Sequence, residues 1–264
     1  MNMLSSSVIN SESNNRPVAI VIGASGGIGF SVVSTLLERR WKVIAAARHL
    51  EKLESILAPL KDSSHQLQIC SLDASDSNSV TSFFESIVAE HNQIDGVVNC
   101  AGSILLKPAH LISDLEFDET LSRNLKTAFY LLRSSVRQMM KQSQGGSVVF
   151  CSSVAAQRGL INHEAIAAAK AGIEGMALAS AATYAPYHIR INCVAPGLVR
   201  TGLTQKLTEN EAVLKKSASM HPLGRIGEPA EVASAITWFL DPLQSWVTGQ
   251  VLGVDGGLGN IQAR

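Results

Sequence analysis

A single doubly wound α/β domain is the fold this sequence predicts, on three observations. Short β-branched runs alternate along the chain with longer helical stretches. The runs are almost unbrokenly apolar, as strands of a parallel sheet covered on both faces must be. At 264 residues, with no internal repeat or dividing linker, the chain suits one such domain. Strand and helix in alternation imply right-handed crossovers. The expected strands are Val18–Ile22, Val43–Ala46, Leu67–Leu72, Gly96–Asn99, Ser147–Cys151, Arg190–Val194 and Gln250–Val254, giving a mostly parallel seven-stranded sheet. Helices are expected over 27–39, 49–58, 77–91, 113–141, 163–185 and 229–240.

Taken in order, these elements carry a series of motifs. The first strand runs into Gly23-Ala24-Ser25-Gly26-Gly27-Ile28-Gly29, which opens the first helix. Glycines there allow a tight turn, close approach to a pyrophosphate, and an anion at the helix N-terminus. The second strand ends in Ala45-Ala46-Ala47-Arg48. Arg48 can pair with a 2′-phosphate, and no acid stands there for a ribose hydroxyl, so NADP is expected and NAD less so. Gly26 occupies the place of a second basic residue. Asp73 follows the third strand, Asn99-Cys100-Ala101-Gly102 ends the fourth, and Ser153 follows the fifth. The helix over 163–185 carries Lys170, and Pro196-Gly197-Leu198-Val199-Arg200-Thr201 follows the sixth strand. The segment 202–222 is polar and the least regular part, a candidate lid.

These motifs resemble the short-chain dehydrogenase/reductase family over about residues 17–258. Gly224-Arg225-Ile226-Gly227-Glu228-Pro229 and the stretch from Thr248 to Gly257 look most like its 3-oxoacyl-carrier-protein reductase branch. The resemblance implies a Rossmann domain that binds a nicotinamide dinucleotide. It assigns Gly23, Ser25, Gly27, Ile28, Gly29, Arg48, Asp73, Asn99, Ala101, Gly102, Lys170, Pro196, Gly197, Val199 and Thr201 to the cofactor. Asp73 resembles the acid on the adenine amino group, and Cys100 stands in for the second Asn of an Asn-Asn-Ala-Gly strand end. The resemblance also implies a homotetramer.

The family's catalytic set is Asn, Ser, Tyr and a Lys four residues after the Tyr. Asn124, Ser153 and Lys170 match, but Ile166 stands where Tyr belongs. An isoleucine donates no proton. Tyr184 lies eighteen residues on in the same helix, roughly 27 Å away. His163, Ile166 and Lys170 are spaced three and four apart and share a helix face. His163 is therefore a candidate acid, and otherwise a helix-start residue with Asn162 as N-cap. Three readings stand. The first is an NADPH-dependent reductase with altered chemistry on a carbonyl, imine or conjugated thioester. The second is a catalytically silent nucleotide-binding subunit. The third is a non-redox enzyme.

Composition narrows the rest. With 22 basic and 22 acidic residues the formal net charge is zero, which offers nothing to nucleic acid or an anionic membrane. Aliphatic residues dominate the apolar 46%, since aromatics make up only 5%. Cys70, Cys100, Cys151 and Cys193 sit in or beside apolar runs with no Cys-x-x-Cys spacing, so they read as small apolar fillers in a reducing compartment. No metal site is expected. Residues 1–15 are Ser/Asn-rich and read as a disordered tail, without the pattern of a targeting signal. No apolar run reaches the ~20 residues of a bilayer span. A cytoplasmic protein acting on a small molecule is the expectation.

Overall fold

Strand order decides where a ligand can bind in this chain. The computed structural model describes residues 16–61 and 66–262; the tail over 1–15 lies outside them. Seven strands pair in the order β3-β2-β1-β4-β5-β6-β7, every neighbour parallel. They are β1 (Val18–Ile22), β2 (Lys42–Ala47), β3 (Leu67–Ser71), β4 (Gly96–Asn99), β5 (Gly146–Cys151), β6 (Ile189–Pro196) and β7 (Val251–Val254). β1 sits between β2 and β4, so the winding reverses there and a crevice opens at their C-terminal ends.

Two apolar cores cover the sheet. One packs α3 (Ser77–His91), α5 (Thr127–Met139) and α6 (Glu164–Tyr184) against residues such as Ile20, Val97, Phe150 and Ile191. The other packs α1 (Gly27–Glu38), α2 (Leu50–Leu57) and α9 (Pro229–Leu240) against Val21, Val43, Val98 and Val149. Successive strand residues point to opposite faces, so the unbroken apolar runs supply both cores. At the edges the rule relaxes: β3 is largely half-buried, and β7 exposes Leu252 and Gly253.

Five expectations need correction. The helix over 113–141 is two helices, α4 (Asp114–Leu121) and α5, joined through a wide turn of π type at Ser122–Lys126. That turn buries Asn124 completely. The 202–222 segment is helical, with α7 (Gln205–Thr208) and α8 (Glu211–Met220); Asn210 caps α8 by accepting from the Val213 amide at 3.1 Å. Asn162 does not cap α6: its φ is +64°, and His163 precedes the helix without a side-chain cap bond. β3 stops at Ser71, and Leu72 packs instead into the core beside Ala74. Finally, Glu164–Tyr187 is long and apolar enough by composition to cross a membrane. Here it buries Ile173, Ala177 and Ala181 in the sheet's core, which accounts for the apolarity.

Candidate active site

The glycine turn after β1 is built so tightly that side chains are sterically excluded. Gly23 has φ +79°, and a Cβ there would lie 2.6 Å from the Ala101 amide nitrogen. A Cβ on Gly29 would lie 2.3 Å from the Gly23 carbonyl oxygen. One on Gly27 would meet the Thr201 side chain at 3.1 Å. The loop after β1, the end of β4 and the loop after β6 thus converge. Gly26 leads into α1 without a side-chain cap, and no acid stands in the helix's first turn, leaving its first amides for an anion. This cradle fits a dinucleotide pyrophosphate, with Ser25 half-buried beside it. Ile28 leans on the second core.

Around it lie the other residues that the sequence marked for a cofactor. Arg48 is exposed just past β2. Ser75 donates to the Asp73 carboxylate from its hydroxyl at 2.6 Å and its amide at 2.9 Å. Those bonds hold the Asp73 carboxyl below its ordinary value, and the Arg48 guanidinium adds to the effect. Asn99 is buried, and its Oδ1 accepts from the Ala101 amide at 3.0 Å, fixing the strand end. Pro196 and Val199 are buried, and the Thr201 hydroxyl accepts from the Thr204 amide at 3.3 Å.

The catalytic matches assemble at the ends of β4 and β5. The Lys170 ammonium donates to the carbonyl oxygen of Cys151, the last residue of β5, at 2.8 Å. Burial pushes its pKa down; the nearby thiols of Cys151, Cys100 and Cys193 act weakly the other way. A Cβ on Gly102 would lie 2.7 Å from Asn124 Oδ1 and 3.5 Å from Lys170 Nζ, so these three residues share one pocket wall. Asn124 is locked: its Oδ1 accepts from the Ser103 amide at 3.3 Å, and its amide donates to Ser103 Oγ at 3.1 Å and to the Thr120 carbonyl at 2.9 Å. Ser153 follows β5, and its hydroxyl accepts from the Ala155 amide at 3.2 Å.

Ile166 lies one helical turn before Lys170. Lys170 is already level with the end of β5, so Ile166 extends the buried stripe of α6 past the sheet and towards the crevice. It is 4% exposed and belongs to neither core. His163 is half-buried at the start of α6. Its Nδ1 lies 2.7 Å from the Ile161 carbonyl oxygen. That oxygen can only accept, so Nδ1 carries the hydrogen, and the neutral ring offers Nε2 as an acceptor.

Known proteins resemble this chain along nearly its whole length. A family profile described as enoyl-(acyl carrier protein) reductase matches residues 23–259. The chain belongs to the short-chain dehydrogenase/reductase family. It is 34% identical to the 3-oxoacyl-[acyl-carrier-protein] reductase FabG of Thermotoga maritima, over 91% of this chain and 97% of that one. It is 35% identical to carbonyl reductase family member 4 of Danio rerio, again over 91% and 97%. Among solved structures, a short-chain type dehydrogenase/reductase from Mycobacterium ulcerans superposes with TM-score 0.88 at 27% identity, over 94% of this chain and 91% of that one. An actinorhodin polyketide ketoreductase variant with NADPH superposes with TM-score 0.87 at 25% identity, over 93% and 98%.

Two groups of this short-chain family site escape a reading of the sequence. Glu174 accepts from the Ser152 hydroxyl at 2.6 Å and from the Gln157 side-chain amide at 2.8 Å. One carboxylate on α6 thus pins both flanks of the segment bearing Ser153. Its spacing of four from Lys170 was the available signal. Ser103, the partner of Asn124, gave none, because the bond spans 21 residues.

Proposed function

We propose that this chain is an NADP(H)-dependent reductase acting on a carbonyl, imine or conjugated thioester through a site without the family tyrosine. The observation that carries this reading is the cluster of Asn124, Gly102 and Lys170 at the end of β5, one helical turn from Ile166. A bound nicotinamide would supply hydride. The glycine turn and α1 would hold its pyrophosphate, and Arg48 a 2′-phosphate. Lys170 would bind the ribose, while Pro196, Gly197, Val199 and Thr201 would wall the nicotinamide end. Asn99 and Ala101 keep the rim rigid.

The protein's own part in the chemistry is then orientation plus hydrogen bonding from Ser153. Orientation of reactants is worth more than a general acid, which contributes about 10²–10⁴-fold. Loss of the acid therefore slows ketone reduction most and spares substrates that build little oxygen charge, such as an iminium carbon or activated alkene. His163 is a further proton source on this helix face, and with Nδ1 bonded to Ile161 a proton would pass from Nε2. His163→Ala is expected to lower the rate on any substrate that turns over, and full activity in that variant rules His163 out as the acid.

The silent-subunit reading draws on the same isoleucine, and one experiment separates the two. Wild type and Ile166→Tyr are assayed with NADPH against ketones, imines and enoyl thioesters. The reductase reading expects wild-type turnover on an imine or enoyl thioester, and about 10²–10⁴-fold more ketone reduction in the variant. Turnover in the variant alone supports the silent reading. We also infer a cytoplasmic homotetramer. Leu243 and Trp246, between α9 and β7, are 86% and 98% exposed, an apolar edge suited to a partner subunit.

A further inference from the structure

His221, just past α8, is 3% exposed and takes no part in the chemistry above. Its Nδ1 lies 2.7 Å from the Ser217 carbonyl oxygen, which only accepts, so Nδ1 carries a hydrogen. Its Nε2 lies 3.2 Å from the Leu198 amide, which only donates, so Nε2 carries none. The two contacts fix a single neutral tautomer. The ring is wedged in place: a Cβ on Gly197 would lie 2.6 Å from Nε2. A Cβ on Gly256 would meet the His221 side chain at 3.5 Å. The His221 carbonyl accepts from the Gly224 amide at 2.7 Å, and the Leu223 amide donates to Gly256 at 3.1 Å. The imidazole therefore joins α8 to the Gly197–Leu198 turn, and main-chain bonds of the same segment tie it to the turn after β7.

We propose that His221 is a positioning residue whose neutral ring ties the Gly197–Leu198 turn, and with it the nicotinamide end of the cofactor site, to α8. A proton added at Nε2 would set N–H against N–H and leave the Leu198 amide without its acceptor. Charged groups on the surrounding elements are Glu211, Lys215 and Lys216 on α8, Arg200 after Leu198, Arg225, Glu228 and Glu231 at the start of α9, and Asp255. Most are engaged elsewhere. Arg225 pairs with Glu231 at 2.6 Å and Arg200 with Glu228 at 3.3 Å. The Asp255 carboxylate accepts from the Gly257 and Gly259 amides at 2.9 and 2.8 Å. His221, Arg225, Glu231 and Asp255 line one cavity of about 290 Å³.

The inference rests on the cofactor reading for one of its two readouts. NADPH affinity is measured in wild type, His221→Gln and His221→Phe. Glutamine sets a carbonyl oxygen near the place of Nε2, whereas phenylalanine fills the space without an acceptor. The expected result is that His221→Phe binds NADPH about tenfold more weakly than wild type, the factor set by one buried donor's lost partner, and that His221→Gln recovers most of that affinity. Wild-type affinity in His221→Phe overturns the proposal, as does equal loss in the two variants. The second readout needs no nucleotide: the NMR shift of the Leu198 amide moves in His221→Phe and stays near its wild-type value in His221→Gln. A Leu198 amide unmoved by His221→Phe overturns the proposal. Wild type that never binds NADPH while the Leu198 amide responds to His221→Phe defeats the cofactor reading and leaves His221 as the tie.

Discussion

The glycine turn after β1 and the start of α6 face the same crevice, yet they answer to different constraints. In the turn, backbone meets backbone: a Cβ at Gly29 would press on the Gly23 carbonyl oxygen and on Ala24 Cα. At the start of α6, position 166 extends a buried stripe beyond the sheet, and either an isoleucine or a tyrosine satisfies the helix. The fold therefore dictates glycine in the turn, whereas at position 166 it asks only for a side chain that fills the buried stripe.

The sharpest way to break this contrast is Gly29→Ala. The added methyl would meet backbone at 2.3 Å. We expect a loss of about 1–3 kcal/mol or more, seen as a fall in Tm of several degrees, together with loss of NADPH binding by titration. Unchanged binding would show that the turn has slack. Arg48→Asp tests the cradle's specificity without touching its packing, since Arg48 is exposed. NADPH affinity should fall about 100-fold, the scale of a charge-assisted contact turned repulsive, with Tm unaltered. The smallest effect is expected on the catalytic side, at Glu174. Glu174→Ala frees both flanks of the Ser153 segment, and on a substrate that turns over kcat should fall about tenfold with little change in KM. Glu174→Gln keeps an acceptor for Ser152 and should recover most of that rate. Equal loss in both variants would mean that the charge, and not the geometry, matters.

Legibility in the sequence followed the range of the forces involved. The sheet's strands were placed to within a residue or two, the end of β6 being the furthest off, because unbroken apolar runs report burial on both faces directly. Gly23, Gly27 and Gly29 were legible because the turn demands conformations and approaches that side chains exclude. The rim residues Asn99, Ala101 and Gly102 were found by motif, and the structure sets Ala101 against Gly23 and Gly102 against Asn124 and Lys170. The break between α4 and α5 was not legible, since Ser122–Lys126 has ordinary helix formers. The wide turn is held by side-chain bonds such as Thr127 Oγ1 to the Arg123 and Asn124 carbonyls, at 3.1 and 2.9 Å.

By itself, then, the sequence determined the doubly wound sheet, the glycine cradle and the missing tyrosine, all of which are properties of single residues or of local periodicity. The tertiary structure alone decided that Asn124 is locked by Ser103, that Glu174 pins the Ser153 segment, that 202–222 is helical, and that His221 joins it to the turn after β6. The ties at Asn124, Glu174 and His221 depend on polar groups well apart in sequence finding one another, whereas α8 within 202–222 starts on a local cap that the sequence did not betray. An unpaired buried donor or acceptor is costly, and which partner relieves it is settled only when the chain has folded.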